Sequence, residues 1–195
     1  MQGRLVNHMT GMKPIRSLLS VFLIGLSVFP LSPLLGDPDV AISVDDLLEL
    51  HVSPGDLAAA RIVGSTELTI LLPGHRAMTL ETLDVDMLVQ QGIMEAKGDV
   101  RLWARFLWGE NGACRPSLAA CAEWKKIRAA VHEALGAEVF RKWPWRRGDA
   151  LVIAGKERAM VMFLDSGRSD RIGILRLAGK TDPDWLRGLI EQGVR

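Results

Sequence analysis

A basic start followed by a long apolar run sets the first 36 residues apart from the rest of the chain. Residues 1–36 contain three basic residues and no acidic one, and the run Leu18–Leu35 is interrupted only by Ser, Gly and Pro. This order is typical of a secretory signal. The run is also long enough to span a bilayer, so residues 1–36 are either a signal peptide or an N-terminal anchor. Both interpretations predict a periplasmic location for residues 37–195, which we expect to form a single exported domain.

The charge of the exported part argues against nucleic-acid binding. The whole chain has 24 basic and 23 acidic residues and a net charge of +1. Without Arg4, Lys13 and Arg16, residues 37–195 carry 21 basic and 23 acidic residues, a net charge of −2. Proteins that bind nucleic acid usually carry a clear basic excess, so no direct nucleic-acid partner is expected. The hydrophobic fraction of 48% predicts a packed core rather than disorder.

Cys114 and Cys121 are the only cysteines of the chain. An oxidising compartment favours a disulfide between them, and six intervening residues do not match the Cys-x-x-Cys spacing of redox motifs. We expect a disulfide that closes a short loop at the start of a helix. Two free buried thiols and a reactive pair are the alternatives.

Local signals predict helices through residues 43–140. Ser43, Ser53 with Pro54, Asp99 and Ser117 are all typical helix starts. The predicted helices are Val44–His51, Asp56–Val63, Leu83–Lys97, Val100–Trp108 and Ser117–Phe140. The segment Thr66–Leu72 fits a strand or a third short helix, because periodicity does not separate the two over so few residues.

Short apolar runs between turn residues predict a β-rich unit over residues 150–195. The runs are Ala150–Ala154, Ala159–Leu164 and Ile172–Leu177. Asp182 and Pro183 are typical of the cap and first residue of a final helix. We therefore expect an α+β fold with a helical N-terminal part, about three strands and a closing C-terminal helix.

Residue types that commonly carry catalysis or bind metals do not form known motifs here. The histidines His51, His75 and His132 lie far apart, and the chain has no His-Glu-x-x-His, Cys-x-x-Cys or Gly-x-Ser-x-Gly. The segment 173–181 resembles a phosphate-binding loop, but five residues separate its glycines instead of four. We expect no catalytic residue, no metal ligand and no cofactor.

Cations alternate with indoles in one segment, which we call the basic–aromatic patch. Such a segment can engage lipid headgroups, phosphates or the acidic surface of a partner. The alternative is a connecting segment whose indoles pack into the core while its basic side chains are solvated. Membrane contact is predicted either here or through residues 18–35. The patch consists of Arg141, Lys142, Trp143, Trp145, Arg146 and Arg147.

The stretch Leu71–Asp84 resembles, without gaps, a small exported protein family encoded in integrating conjugative elements. The clearest similarity covers about 35 residues, 71–105. The matching positions are Gly74, Arg76, Leu83, Asp84, Gly92, Ile93, Ala96, Arg101, Trp103 and Ala104.

The resemblance implies a thioredoxin-like unit with a Cys-x-x-Cys after a strand. At the corresponding place, after Met162–Leu164, this chain has Ser166 and Ser169. A serine cannot perform thiol–disulfide exchange, which requires a thiolate. The departure therefore favours a binding role over a redox role.

Together these observations predict an exported, non-catalytic accessory protein of a conjugative DNA-transfer apparatus. It would act through contacts with other envelope or conjugation-apparatus proteins. The alternative is a periplasmic thiol–disulfide oxidoreductase or redox chaperone that uses Cys114 and Cys121. A third hypothesis is a lipid-binding or envelope-stress domain that uses the basic–aromatic patch.

Overall fold

A seven-stranded antiparallel sheet is the central element of the structure. The structure is a computed structural model, and it describes residues 40–43, 46–52, 62–63, 67–72, 76–114, 121–180 and 182–194. The strand order is β3-β4-β5-β9-β8-β7-β6, and every neighbouring pair is antiparallel. The strands are β3 (Ile62–Val63), β4 (Glu67–Leu72), β5 (Arg76–Asp84), β6 (Val139–Trp145), β7 (Gly148–Ala154), β8 (Arg158–Asp165) and β9 (Arg171–Ala178). A separate hairpin pairs β1 (Val40–Ser43) with β2 (Glu49–Val52).

Both faces of the sheet carry a hydrophobic core. Successive side chains of a strand point to opposite faces. In β8, Val161 and Phe163 therefore enter one core, while Met160 and Met162 enter the other. β7 alternates in the same way. Such strands read as continuous apolar runs, because neither face is exposed to water.

Three helices of the middle of the chain cover one face. They are α1 (Val85–Gln90), α2 (Val100–Trp108) and α3 (Cys121–Leu135), with a short 3-10 turn after α2. Asp84 and Asp99 cap the first two by accepting hydrogen bonds from Met87 N and Arg101 N. Trp124 of α3 packs against Phe106 of α2, and its indole N–H donates to Ile93 O. We call this side of the sheet the helix face.

The hairpin β1–β2 and the C-terminal helix cover the opposite face. Leu47, Leu48 and Leu50 of the hairpin are fully buried there. The helix α4 (Pro183–Gly188) begins at the Asp182 cap and continues into a π-helical turn, Leu189–Gly193. Leu50 then pairs with Val194 in an isolated antiparallel bridge, which joins the two ends of the described chain.

The predicted division into a helical part over residues 43–140 and a β-rich part over 150–195 is wrong. Five strands lie between residues 40 and 84, and α3 ends at Leu135 so that 139–145 forms a sixth. The three predicted C-terminal strands and the final helix are present, but they belong to a seven-stranded sheet. The reason lies in tertiary contacts, because the early segments contribute strands to the sheet and buried leucines to its cores.

Several local predictions fail for the same reason. In the predicted helix Val44–His51, the described residues 46–48 form a loop and 49–51 belong to β2, because the leucines of this segment pack on the sheet. The helix predicted over Leu83–Lys97 spans only Val85–Gln90, because Leu83 and Asp84 still pair with β9. Thr66–Leu72 contributes a strand. The segment 53–61, Ser117 and the residues around Gly74 and His75 lie outside the described residues.

The thioredoxin-like unit implied by the resemblance is also wrong. A thioredoxin-like unit needs a parallel β-α-β crossover, whereas β8 and β9 are joined by a tight antiparallel turn. Ser166 and Ser169 lie in that turn, not at a helix start. Within the described residues, no helix is both long and apolar enough to cross a membrane.

Gly173 of β9 lets the hairpin approach the sheet. A Cβ at this position would lie 2.4–2.8 Å from the side chain of Leu48, which is completely buried. We predict that Gly173→Ala lowers the free energy of unfolding by about 1–3 kcal/mol, because overpacking forces buried neighbours to shift. Urea unfolding measures this change.

The matched control is Gly112→Ala, where an added Cβ meets no atom within 4 Å. It should change stability by less than about 0.5 kcal/mol. If Gly173→Ala is as stable as the wild type, the close packing of Leu48 on β9 is contradicted.

Candidate functional site

One end of the helix face is not covered by any of the residues that the structure describes, and it forms a groove of about 330 Å³. Its floor is made by the start of β5, the start of β8 and the end of β9. Its wall is the C-terminal part of α3. We call this site the sheet groove. Its lining residues are Ala77, Thr79, Val131, Ala134, Leu135, Arg158, Ala159, Met160, Arg176, Leu177 and Ala178.

Strand register explains why this part of the sheet is bare. Leu71, Ala77, Ala178 and Arg158 are neighbours in one row across β4, β5, β9 and β8. Two of the four, Ala77 and Ala178, are alanines, so the centre of this row has only small side chains. Leu71 remains 41% exposed at the end of the row. The next row places Thr79 beside Arg176 and hydrogen-bonded to Thr69 at 3.0 Å.

The wall of the sheet groove is held in place by the β7–β8 turn. Arg158 donates from Nη1 to Ala134 O at 3.1 Å, which satisfies one of the last carbonyls of α3. Gly136 follows the helix with φ 59°, in the left-handed region that glycine tolerates. Gly155 passes so close that a Cβ there would lie 2.1 Å from Leu135 O. The end of α3 therefore has a fixed position over the sheet.

Two guanidinium groups flank the apolar floor. Arg176 pairs with Glu81 at 2.5 Å, with side chains that are 52% and 19% exposed. Arg158 has no carboxylate partner among the described residues. The sheet groove is thus an apolar surface with a small positive excess, suited to a ligand that combines apolar groups with a carboxylate.

The basic–aromatic patch is not a continuous surface in the structure. Trp145 is buried against Phe163, and its indole N–H donates to Val194 O at 3.2 Å. Trp143 is partly buried on the same core. These contacts agree with the alternative in which the indoles pack inside, although the segment is the edge strand β6 and not a connection.

The basic residues of the patch divide into paired and exposed ones. Lys142 pairs with Asp149 at 2.8 Å. Arg147 pairs with Asp165 at 2.6 Å and donates to Asp46 O at 2.9 Å. Arg141 and Arg146 are exposed. The structure therefore separates the six predicted patch residues between the core, an ion-pair network and solvent.

A network of ion pairs joins the hairpin to the β8–β9 turn. Asp46 accepts from Arg168 at 2.7 Å and from Arg171 at 3.0 Å. Asp165, which is almost buried, also accepts from Gly167 N and so shapes the turn. This network fixes the hairpin on the sheet. We call it the clasp, and it consists of the contacts of Asp46, Arg147, Asp165, Arg168 and Arg171.

Two carboxyl groups near the clasp have shifted pKa values. The hydrogen bond from Arg168 lowers the pKa of the Asp46 carboxyl, and the charges of Arg168 and Arg171 act in the same direction. For Asp99, partial burial raises the pKa, but hydrogen bonds from Arg101 outweigh it and the net pKa is lowered. Both carboxyls are therefore structural anions rather than proton donors at neutral pH.

The predicted disulfide between Cys114 and Cys121 is confirmed. The two Cα atoms lie 5.8 Å apart, and Cys121 is the first residue of α3. Cys114 packs at the margin of the helix-face core. The bond thus ties Cys114 to the start of the helix that forms the groove wall.

The histidines do not come together in the described part of the chain. His51 contacts Glu49, and His132 lies 2.7 Å from Leu107 O and packs against Phe140 with the two rings tilted by 58°. No cluster of three or more His, Cys, Asp or Glu side chains suited to a metal occurs in the ranges that the structure describes.

Residues of the family resemblance mainly support the fold. Arg76 lies over the Trp185 ring at 5.3 Å, Asp84 caps α1, and Gly92 turns the chain with φ 71°. Arg101 pairs with Asp99 and donates to Ser166 O. Trp103 and Ala104 are buried.

Sequence reasoning missed the sheet groove because its residues come from four separate segments. One signal was available in β5, where Met78 and Leu80 alternate with Ala77, Thr79 and Glu81. That alternation indicates a strand buried on one face only. Nothing in the sequence places α3 beside it.

Comparison with known proteins gives few matches. No family model and no curated protein matches the chain. Among solved structures, a mutant of the protein Mog1 is similar at 9% identity and a TM-score of 0.37. The Saccharomyces cerevisiae Ran-binding protein Mog1p is similar at 8% identity and the same TM-score. Both alignments cover 77% of this chain and 81% of the other. Similarity at this level carries no functional argument.

We predict that Asp165→Ala lowers the free energy of unfolding by about 1–3 kcal/mol. The change removes the bond to Gly167 N and leaves the Arg147 guanidinium without its nearest carboxylate. The control is Asp149→Ala, which breaks the more exposed pair with Lys142 and should cost less than about 1 kcal/mol. Equal losses in urea unfolding would contradict a structural role for the clasp.

We predict that Asp46 contributes to acid sensitivity. A carboxyl whose folded pKa is lowered stabilises the fold above its unfolded pKa, and this contribution is lost as pH falls through the folded pKa. The urea midpoint of the wild type should therefore exceed that of Asp46→Asn at about pH 6, and the gap should narrow progressively as the pH falls from about 4 through the lower folded pKa of Asp46. Glu95→Gln, which removes a charge at an exposed position, is the control. A gap that stays constant across this range would contradict the prediction.

Proposed function

We propose that the protein is an exported, non-catalytic accessory protein that acts by binding another protein of the cell envelope. The observation that carries the binding role is the sheet groove, an apolar part of the central sheet left uncovered beside α3. A sheet face normally buries its apolar surface against another layer. A partner that completes this layer would bury that surface.

A non-catalytic role is supported by the contacts of the residues that most resemble catalytic groups. Ser166 donates from Oγ to Arg147 O, and Asp84 and Asp182 cap helices. Asp46 is paired with two arginines. These side chains already have structural partners, which accounts for them without catalysis.

Export is supported by two independent features. Residues 1–36 have the basic and apolar regions of a secretory signal or anchor. The Cys114–Cys121 disulfide is of the kind that persists in oxidising compartments such as the periplasm. Mass spectrometry of the protein from a fractionated host tests the location, and shows whether the segment before Asp37 is removed.

The assignment to a conjugative DNA-transfer apparatus rests on the resemblance over residues 71–105. The test is clean deletion of the gene from its host element, followed by complementation. We predict that transfer frequency falls at least about tenfold on deletion and that wild-type protein restores it. Unchanged transfer would remove the conjugation assignment.

A second complementation separates the accessory role from a redox role. We expect Cys114→Ser/Cys121→Ser to restore transfer in a host grown at low temperature, because the disulfide stabilises the fold by about 2–3 kcal/mol and performs no exchange. If this variant folds but fails to restore transfer, the thiol–disulfide alternative gains support.

A further inference from the structure

The helix layer on the sheet has room for one more helix at the sheet groove. α3 lies over β7 and β8. Strands are about 4.8 Å apart and packed helices about 8–10 Å apart. The next helix position in the layer therefore lies about two strands away, over β9 and β5. There α1 contacts β5 beside its Asp84 end, α2 contacts β9 and β7, and the groove occupies the Ala77 end of β5.

Backbone pairing favours a helical occupant over an extended one. β5, β9 and β8 form the floor, and each is paired on both sides. An extended peptide lying on this face would find no ladder partner for its own N–H and C=O groups, whereas a helix satisfies its backbone internally. The longer of the two described edge strands of this sheet, β6, carries Pro144, Arg141 and Lys142, which are features that oppose strand addition.

The volume of the groove favours a few side chains over a lipid. About 330 Å³ is at the lower end of ligand sites, and the groove is open on its β4 side, where Leu71 and Thr69 continue the surface. A surface that is open along one side suits the apolar stripe of a helix, which needs contact on one face only.

The charges around the groove favour an acidic partner. Arg158 has no carboxylate partner in the described ranges, and Arg176 is half exposed although it pairs with Glu81. The guanidinium of Arg158 is held in place by its bond to Ala134 O. A carboxylate placed beside the apolar stripe would meet a positioned donor rather than a freely moving side chain.

We propose that the sheet groove binds an amphipathic helix of a partner protein, with its apolar stripe on Ala77 and Ala178 and its flanking carboxylates near Arg158 and Arg176. This inference rests on the proposed binding function and adds the chemistry of the partner. The helix would become the missing member of the helix layer.

Two designed peptides of roughly 18 residues test the proposal directly. Both carry leucines at i, i+3, i+4 and i+7 spacing. One has glutamates beside the stripe and the other has lysines at the same positions. Binding to ¹⁵N-labelled protein is followed by amide chemical shifts. We expect the glutamate peptide to shift residues of β5, β9 and the end of α3, and to bind at least about tenfold more tightly than the lysine peptide.

Three variants make the result specific to the groove. Arg158→Glu should reverse the preference between the peptides. Ala178→Leu fills the floor without removing a hydrogen bond and should weaken both peptides at least about tenfold. Lys97→Glu makes the same reversal of charge at an exposed residue that is distant in sequence from Arg158, and it should leave both affinities unchanged. Thermal unfolding of each variant checks that it is folded. If Arg158→Glu is not folded, Ala178→Leu still tests the groove.

Several outcomes would overturn the proposal. One is the absence of shifts with either peptide at millimolar concentration, and another is shifts confined to other surfaces. Binding of dodecanoate or anionic vesicles, but not of the peptides, at the groove residues would assign the site to a lipid instead. An unchanged peptide preference in folded Arg158→Glu would remove the role of charge.

Complementation distinguishes this proposal from the proposed function. If deletion lowers transfer and the folded Ala178→Leu variant restores it fully, the accessory role stands and the groove inference fails. If deletion leaves transfer unchanged, the conjugation assignment fails, while the peptide experiment still decides whether the groove binds a helix.

Discussion

The two-sided burial of strands β7, β8 and β9 is the constraint on which the rest of the structure depends. Each of these strands places apolar side chains on both faces of the sheet, so both faces must be covered by other parts of the chain. The middle helices cover one face. The N-terminal hairpin and α4 cover the other, and they come from opposite ends of the described sequence. The clasp and the Leu50–Val194 bridge are contacts that hold this second cover together.

The change in pattern from β8 to β5 explains where this coverage ends. β8 is apolar on both faces, whereas β5 presents Met78 and Leu80 to one core and Ala77, Thr79 and Glu81 to the other side. Small and polar side chains do not require a helix above them. The helix face is therefore covered over β7 and most of β8, and it is incomplete over the start of β5, the start of β8 and the end of β9. An uncovered apolar surface remains there, because the small side chains of Ala77 and Ala178 leave space above the sheet.

Local signals predicted the features that are determined locally. Asp99 and Asp182 cap helices, the last three strands are present, and the two cysteines are joined, since each depends on a few neighbouring residues. The segment 44–51 reads as a helix, yet its leucines are buried on a sheet formed by residues more than a hundred positions away. The basic–aromatic patch is not a continuous surface for a related reason, because strand alternation sends Trp143 and Trp145 inward, as one of its two interpretations predicts. The sheet groove was not predictable, since its rows depend on the register of four strands.

The two ends of the sheet use arginine in different ways. At the β8–β9 turn, Arg147, Arg168 and Arg171 bind carboxylates that come from other segments, so their charges are used within the fold. At the opposite end, Arg158 donates to a helix carbonyl and keeps its charge uncompensated by any described carboxylate. An exposed charge of this kind adds little to stability, but it can attract and orient an acidic partner, an effect that salt screens over about 10 Å. The charge of Arg158 and the small side chains of Ala77 and Ala178 therefore lie at the same end of the sheet, which is the end where we propose that a partner binds.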